Sequence, residues 1–152
     1  MTIIKIEKTI IEGLREQASH DGVQKIVAGA IIFRTGKALL LKRTKGEFME
    51  GLVELPSGTI EAGEDILAGL IREVKEETGL ETVSVDGYVN SFDYLSQSGR
   101  KTRQLNFFIQ ATGDVKINPS EHESFLWADP TGSEFQTMNL SEEVKESIRR
   151  TV

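Results

Sequence analysis

The chain has 152 residues, 38% of them hydrophobic and 28% charged, which suits one globular domain with a sizeable core and would crowd two. It contains no cysteine, so disulfides, thiolate zinc sites and cysteine nucleophiles are excluded and a reducing cytoplasm suits it. A formal net charge of -6 favours solubility without a broad surface for nucleic acid or anionic lipid, and no stretch reaches membrane-spanning length.

The first residues, Met1 to Lys8, lack the basic region and long apolar core of a secretory signal, so secretion is not expected. Ile6, Ile10 and Leu14 have helical spacing, and the run from Gln17 to Gly22 reads as helix end and turn. Residues 1–22 are therefore expected to form an N-terminal helical segment ahead of a main domain over 23–152. Residues 24–33 and 38–42 are nearly continuous apolar runs joined by a turn over 34–37, a hairpin expected to be buried on both faces. A polar, glycine-containing stretch over 42–51 predicts a loop before a short strand at Leu52 to Leu55.

A helix is expected from about Glu64 to Thr78, with Leu67, Leu70, Ile71 and Val74 on its apolar face and Gly79 as its stop. Residues 82–95 and 103–111 read as strands across a turn, and 124–128 as another. Near the end, Asn139 and Glu142 have capping-box spacing. Leu140, Val144 and Ile148 then follow one helical face, with Arg149 and Arg150 suited to the C-terminal dipole. A sheet flanked by helices is the economical architecture.

On the middle helix, Glu73, Glu76 and Glu77 fall within a narrow sector, so three carboxylates converge. Like charges so close raise one another's pKa and call for a compensating cation, with magnesium or manganese the natural candidates. A solvated acidic face would explain Glu76 and Glu77 alone. Arg72 is spaced for an intrahelical pair with Glu76, and Gly69 points to close packing, because a helix-interior glycine costs roughly 1 kcal/mol against alanine.

The segment from Gly58 to Leu80 resembles the signature box of Nudix (MutT-like) hydrolases, with Gly58, Glu64, Arg72, Glu73, Val74, Glu76, Glu77, Gly79 and Leu80 at the family positions. The resemblance extends over roughly residues 24–150. It implies an α/β fold, a Nudix-type α/β/α sandwich with a mixed sheet and a loop-helix-loop catalytic element. It also implies Mg2+-dependent hydrolysis, with Mn2+ able to substitute, of a pyrophosphate bond in a nucleoside diphosphate linked to another moiety. By the same resemblance Glu73, Glu76 and Glu77 are the metal ligands, with the Gly58 carbonyl as an additional oxygen, while Glu64 and Arg72 hold loop and helix in place.

Ser57 stands where many members have a second glycine; it fits a constrained turn and weakens assignment to the oxidised-guanine-nucleotide subgroup. Pro56 rigidifies the approach, and Glu54 is a candidate for outer-sphere metal or substrate contact. The stretch from Glu121 to Trp127 resembles the acidic loop before a tryptophan in many members. It makes Glu121 the preferred general base, ahead of Glu73 and Glu123. His122 and His20 are each a lone histidine that establishes no site. Arg43 is the preferred phosphate contact, ahead of Lys42 and Lys45. Phe48, with Phe92, Tyr94 and Phe107, could stack on a base, although aromatics more often fill cores, as is expected of Trp127. Arg100, Lys101 and Arg103 form a basic hairpin that needs no ligand. The expected partner is a phosphorylated small molecule, and the resemblance is consistent with a homodimer. Two alternatives remain: an isoprenoid-diphosphate isomerase, disfavoured by the missing cysteine, and a nucleotide-binding module without turnover.

Overall fold

The computed structural model describes residues 1–44 and 51–152. Lys45 and Phe48 lie outside the described residues. The layers follow from alternation along two adjacent strands, β2 (Lys25–Arg34) and β3 (Lys37–Arg43). They turn through Thr35 and Gly36 at φ 52° and 78°, the doubly left-handed geometry that matches strand twist in a tight hairpin. Ala28, Ala30, Ile32, Leu39 and Leu41 face one core, whereas Ile31, Ala38 and Leu40 face a second on the opposite side. The continuous apolar run is thus buried on both faces, as expected.

The remaining strands among the described residues extend this hairpin into a mixed sheet. They are β1 (Ile3–Ile4), β4 (Val53–Glu54), β5 (Ser57–Thr59), β6 (Glu81–Leu95), β7 (Lys101–Thr112) and β8 (His122–Ala128). The order is β1-β6-β7-β2-β3-β4, with β5 also paired to β2 and β8 to β3. β7 lies parallel to β2, and β6 and β7 form a long antiparallel ribbon. Helices α1 (Lys8–His20) and α2 (Ile66–Thr78) cover the first core. Helices α3 (Ser133–Thr137) and α4 (Glu142–Arg149) cover the second, through Phe135, Val144 and Ile148. The result is the expected α/β/α sandwich.

Two local expectations are corrected. In α1 the core face carries Ile11 and Ala18, with Leu14 packed beside them, while Ile10 is 47% exposed. Ile6 precedes the first helical turn, so it cannot set the phase of the buried stripe. At α4 the N-cap is Ser141, whose Oγ accepts from Val144 N at 3.2 Å, and not Asn139. Asn139 is held beside β4: its carbonyl accepts from Val53 N at 2.9 Å and its side chain donates to the Gly51 carbonyl at 3.0 Å. The helix can start only after that ladder ends.

Residues 1–22 pack onto the main body, since β1 runs parallel to β6 and Ile11 enters the first core. Helix α2 is firmly bounded. Asp65 accepts from Ala68 N at 3.0 Å as its N-cap, and Gly79 ends it at φ 73°. Ile66, Leu67, Leu70 and Val74 bury one side and leave the acidic side facing the β5 loop. Replacing the cap with Asp65→Ala should lower stability by about 1 kcal/mol in urea unfolding, with an unchanged denaturant slope.

Candidate metal and catalytic site

The site is assembled by short-range contacts between β5 with its following loop and one side of α2. Arg72 is the tie. Its Nε and Nη2 donate to the two carboxylate oxygens of Glu64 at 2.8 and 2.9 Å, and Nη2 also donates to the Thr59 carbonyl at 3.1 Å. Its Nη1 donates to Glu73 at 2.9 Å and to Glu76 at 3.2 Å. The paired carboxyl of Glu64 is held down at about 2, first by the Arg72 hydrogen bond and then by the Glu61 amide. Arg72 in turn is raised above its ordinary value, chiefly by Glu64. These contacts tie the loop after β5 to α2.

Gly58 and Gly69 leave room for side chains that a Cβ would displace. A Cβ at Gly58 would stand 1.9 Å from Cδ of Glu73, so the strand and that carboxyl can be in contact only at a residue without a side chain. At Gly69 a Cβ would meet Ile60 Cδ1 at 2.5 Å and Glu64 Oε1 at 2.9 Å, which explains a glycine inside a helix. One residue before Gly58, the Ser57 amide donates to Glu77 Oε1 at 2.7 Å. The Pro56 carbonyl accepts from Ala30 N at 2.9 Å, anchoring the approach to β2.

Glu73, Glu77, Gly58, Ser57, Glu121, Arg43 and Tyr94 line one cavity of about 450 Å³. Glu77 is only 8% exposed. Among the described residues no cationic side chain pairs with it. Burial, reinforced by the charges of Glu54, Glu121 and Glu73, pushes its carboxyl up to about 9. Glu73 is also raised, first by burial, against the lowering influence of Arg72. A buried carboxylate surrounded by three others and lacking a counter-charge is the donor set of a hard divalent cation, which prefers oxygen ligands. Glu76 is placed differently. Its side chain is 57% exposed, pairs with Arg72 and does not line the cavity.

Glu121 reaches the cavity from the turn before β8, where its carbonyl accepts from Thr44 N at 3.0 Å. Glu123 lies on the outer side, 3.8 Å from Lys42. Arg43 lines the cavity with its Nε 3.1 Å from Glu54 Oε2, an ionic contact without hydrogen-bond alignment. The aromatic residues divide: Phe107 is core, Phe92 packs against the second core, and Tyr94 lines the cavity. Trp127 packs under Arg34, whose guanidinium lies 5.0 Å from its ring centroid. The basic hairpin is internally satisfied, with Arg103 paired to Asp93 and Asp21. His20 is exposed beside Asp21.

His122 was missed. It is 2% exposed, its Nε2 lies 2.8 Å from Glu54 Oε2, and a ring nitrogen lies within 4.8 Å of carboxylate oxygens of Glu77 and Glu121. A β-bulge placed it there. Arg43 pairs with His122 whereas Lys42 pairs with Ser124, so the extra residue Glu123 is extruded and His122 turns inward. Nothing in the local pattern signals a bulge.

A sandwich of this topology with a glycine strand pressed on an acidic helix defines a family, and the comparisons agree. The NUDIX domain family model matches residues 23–148, and the chain belongs to that family. It is 37% identical over 121 residues to Nudix hydrolase 6 of Arabidopsis thaliana, covering 75% of this chain and 41% of that protein. The chain thus spans less than half the length of that plant relative. It is 34% identical over 104 residues to the CTP pyrophosphohydrolase of Escherichia coli, covering 68% of this chain and 75% of that protein. The solution structure of the E. coli ORF135 protein superposes with a TM-score of 0.70 at 28% identity, covering 87% of this chain and 91% of that one.

Two measurements probe this geometry. Gly58→Ala has no backbone obstacle, so it should fold normally yet displace Glu73 and lower turnover roughly a hundredfold; near-normal turnover would remove the contact from any role. For Glu77 the raised pKa fixes a sign. The unfolded chain releases this proton near 4.5, but the folded metal-free protein keeps it to about 9. Its stabilising contribution is therefore full below 4.5 and is lost as pH rises through 9. Glu77→Gln keeps an acceptor for Ser57 and cannot ionise. Without metal, its unfolding midpoint should fall less than that of the wild type between about pH 5 and about pH 8.5.

Proposed function

We propose that this chain hydrolyses a pyrophosphate bond in a nucleoside diphosphate linked to another moiety, supported by Mg2+ with Mn2+ as a substitute. The observation that carries the reading is Glu77, buried beside Glu73 and Glu121 in a polar cavity without a cationic partner among the described residues. A divalent cation supplies charge neutralisation for the diphosphate and a lowered pKa for bound water. Glu73 and Glu77 are the carboxylates that would hold it, with the Gly58 carbonyl beside them. Glu76 would join if its pair with Arg72 opened. Glu121, on the open side of the cavity, takes the proton from the attacking water. Arg43 meets phosphate oxygens at the cavity wall, with its guanidinium oriented by Glu54. Arg72 and Glu64 keep the strand and helix in register.

The E. coli relative's name makes a nucleoside triphosphate the first substrate to test. A Mg2+-supported panel should contain CTP, other nucleoside triphosphates, dinucleoside polyphosphates, ADP-sugars, capped RNA and an isoprenoid diphosphate, with products resolved by chromatography. Cleavage to a nucleoside monophosphate is the expected result. Isomerisation of the isoprenoid, or binding of a nucleotide without cleavage, would overturn the reading. Glu121→Gln should lower single-turnover rates by about 10²–10⁴ at full metal occupancy and flatten the basic pH dependence. If Glu73→Gln flattens it instead, the proton acceptor is Glu73.

A further inference from the structure

We propose that Nδ1 of His122 is a ligand of the divalent cation at Glu77, giving a nitrogen donor to a site whose other donors are oxygens. The proposal rests on the metal-dependent reading above and deepens it by naming a ligand and a metal preference. His122 is 2% exposed, and its ring is committed on one side: Nε2 lies 2.8 Å from Glu54 Oε2. Nδ1 is equally buried and has no hydrogen-bond partner among the described residues. A buried polar atom left unpaired costs the desolvation of that group, so its position calls for a partner.

The Glu54 contact selects the tautomer. With Nε2 donating its hydrogen to Glu54 Oε2 at 2.8 Å, the neutral ring carries its lone pair on Nδ1. A carboxylate receiving one ring N–H while the other nitrogen faces a metal is the usual support of a ligating histidine. The distances permit it. A ring nitrogen of His122 and a carboxylate oxygen of Glu77 lie within 4.8 Å of each other, close to the separation of two ligands on one ion, and the Glu121 carboxylate, within the same distance, stays beside them as the proton acceptor. The β-bulge at Lys42/Arg43 supplies the geometric cause, since it turns His122 into the cavity while extruding Glu123. Imidazole suits later transition-metal ions better than Mg2+, so the wild-type site should favour Co2+ over Mg2+ beyond what carboxylates alone give, with Mn2+ serving as the spectroscopic probe.

The test is pulsed electron paramagnetic resonance on the full chain loaded with one equivalent of Mn2+, alongside calorimetric titration. A histidine 14N coupling is expected in the wild type, converting to a 15N signal when the protein is labelled with 15N-histidine. His122→Gln should abolish it and weaken Mn2+ at least about tenfold, with a smaller change for Mg2+. Glu54→Gln should weaken Mn2+ by about 10–100-fold while the coupling persists. Stoichiometric Mn2+ without histidine coupling overturns the proposal and leaves the hydrolase reading intact. A coupling that survives in His122→Gln belongs to His20 and also overturns it. Histidine coupling together with no cleavage in the substrate panel sinks the hydrolase reading alone, and failure to bind Mn2+ sinks both. Should His122→Gln fail to fold, His20→Gln decides: a coupling retained in that variant belongs to His122, and one that is lost overturns the proposal.

Discussion

Everything at the site depends on Arg72 joining two elements that would otherwise be pushed apart. The β5 strand and its loop touch α2 through Ile60, buried in the first core against Gly69, while their polar side faces the helix glutamates. One guanidinium reaches both oxygens of Glu64, the Thr59 carbonyl and two helix carboxylates. Its planar fork makes these bonds simultaneously, which an ammonium could not do. With loop and helix clamped, Gly58 rests against Glu73 and the Ser57 amide reaches Glu77. The clamp is strong because its central pair is charge-assisted and partly shielded from water.

The opposite side of α2 explains how the protein tolerates such a concentration of negative charge. Ile66, Leu67, Leu70 and Val74 sink into the same core as Leu39, Leu105 and Phe107, and the backbone is capped at both ends. Burial of several aliphatic side chains, each contributing on the order of 1.5–3 kcal/mol, fixes the helix regardless of what its other face carries. Glu77 can then be withdrawn from water and left to titrate far above an ordinary carboxyl. Perturbed groups of this kind concentrate where chemistry is done.

The rest of the cavity comes from elements distant in sequence. Arg43 and Glu54 arrive from β3 and β4, Tyr94 from the β6–β7 ribbon, and Glu121 and His122 from the edge of β8. The ribbon is itself stiffened by the Arg103 pairs with Asp93 and Asp21, so the basic hairpin serves the scaffold. Among the described residues, Tyr94 and Arg43 give this polar wall an aromatic ring and a guanidinium, the latter suited to phosphate oxygens.

What the sequence determined by itself was whatever depends on local periodicity and steric necessity. The β2–β3 hairpin, α2 with its glycine stop, the long strands around residues 82–111 and the approach of Gly58 to the acidic helix all follow from neighbours within a few residues. The resemblance could bring Gly58, Glu64, Arg72, Glu73 and Glu77 together because one helix and its preceding loop carry them at fixed spacing. The tertiary structure decided what depends on register between distant strands. The phase of α1 turned on where its first turn began, and the start of α4 on the ladder from Val53 to Asn139. Glu76, indistinguishable from Glu77 in the pattern, faces outward to Arg72 because a one-residue step rotates a helix position by about 100°. His122 looked like a lone surface histidine until the bulge opposite Arg43 reversed its direction, because a bulge breaks the two-residue alternation on which any reading of a strand relies.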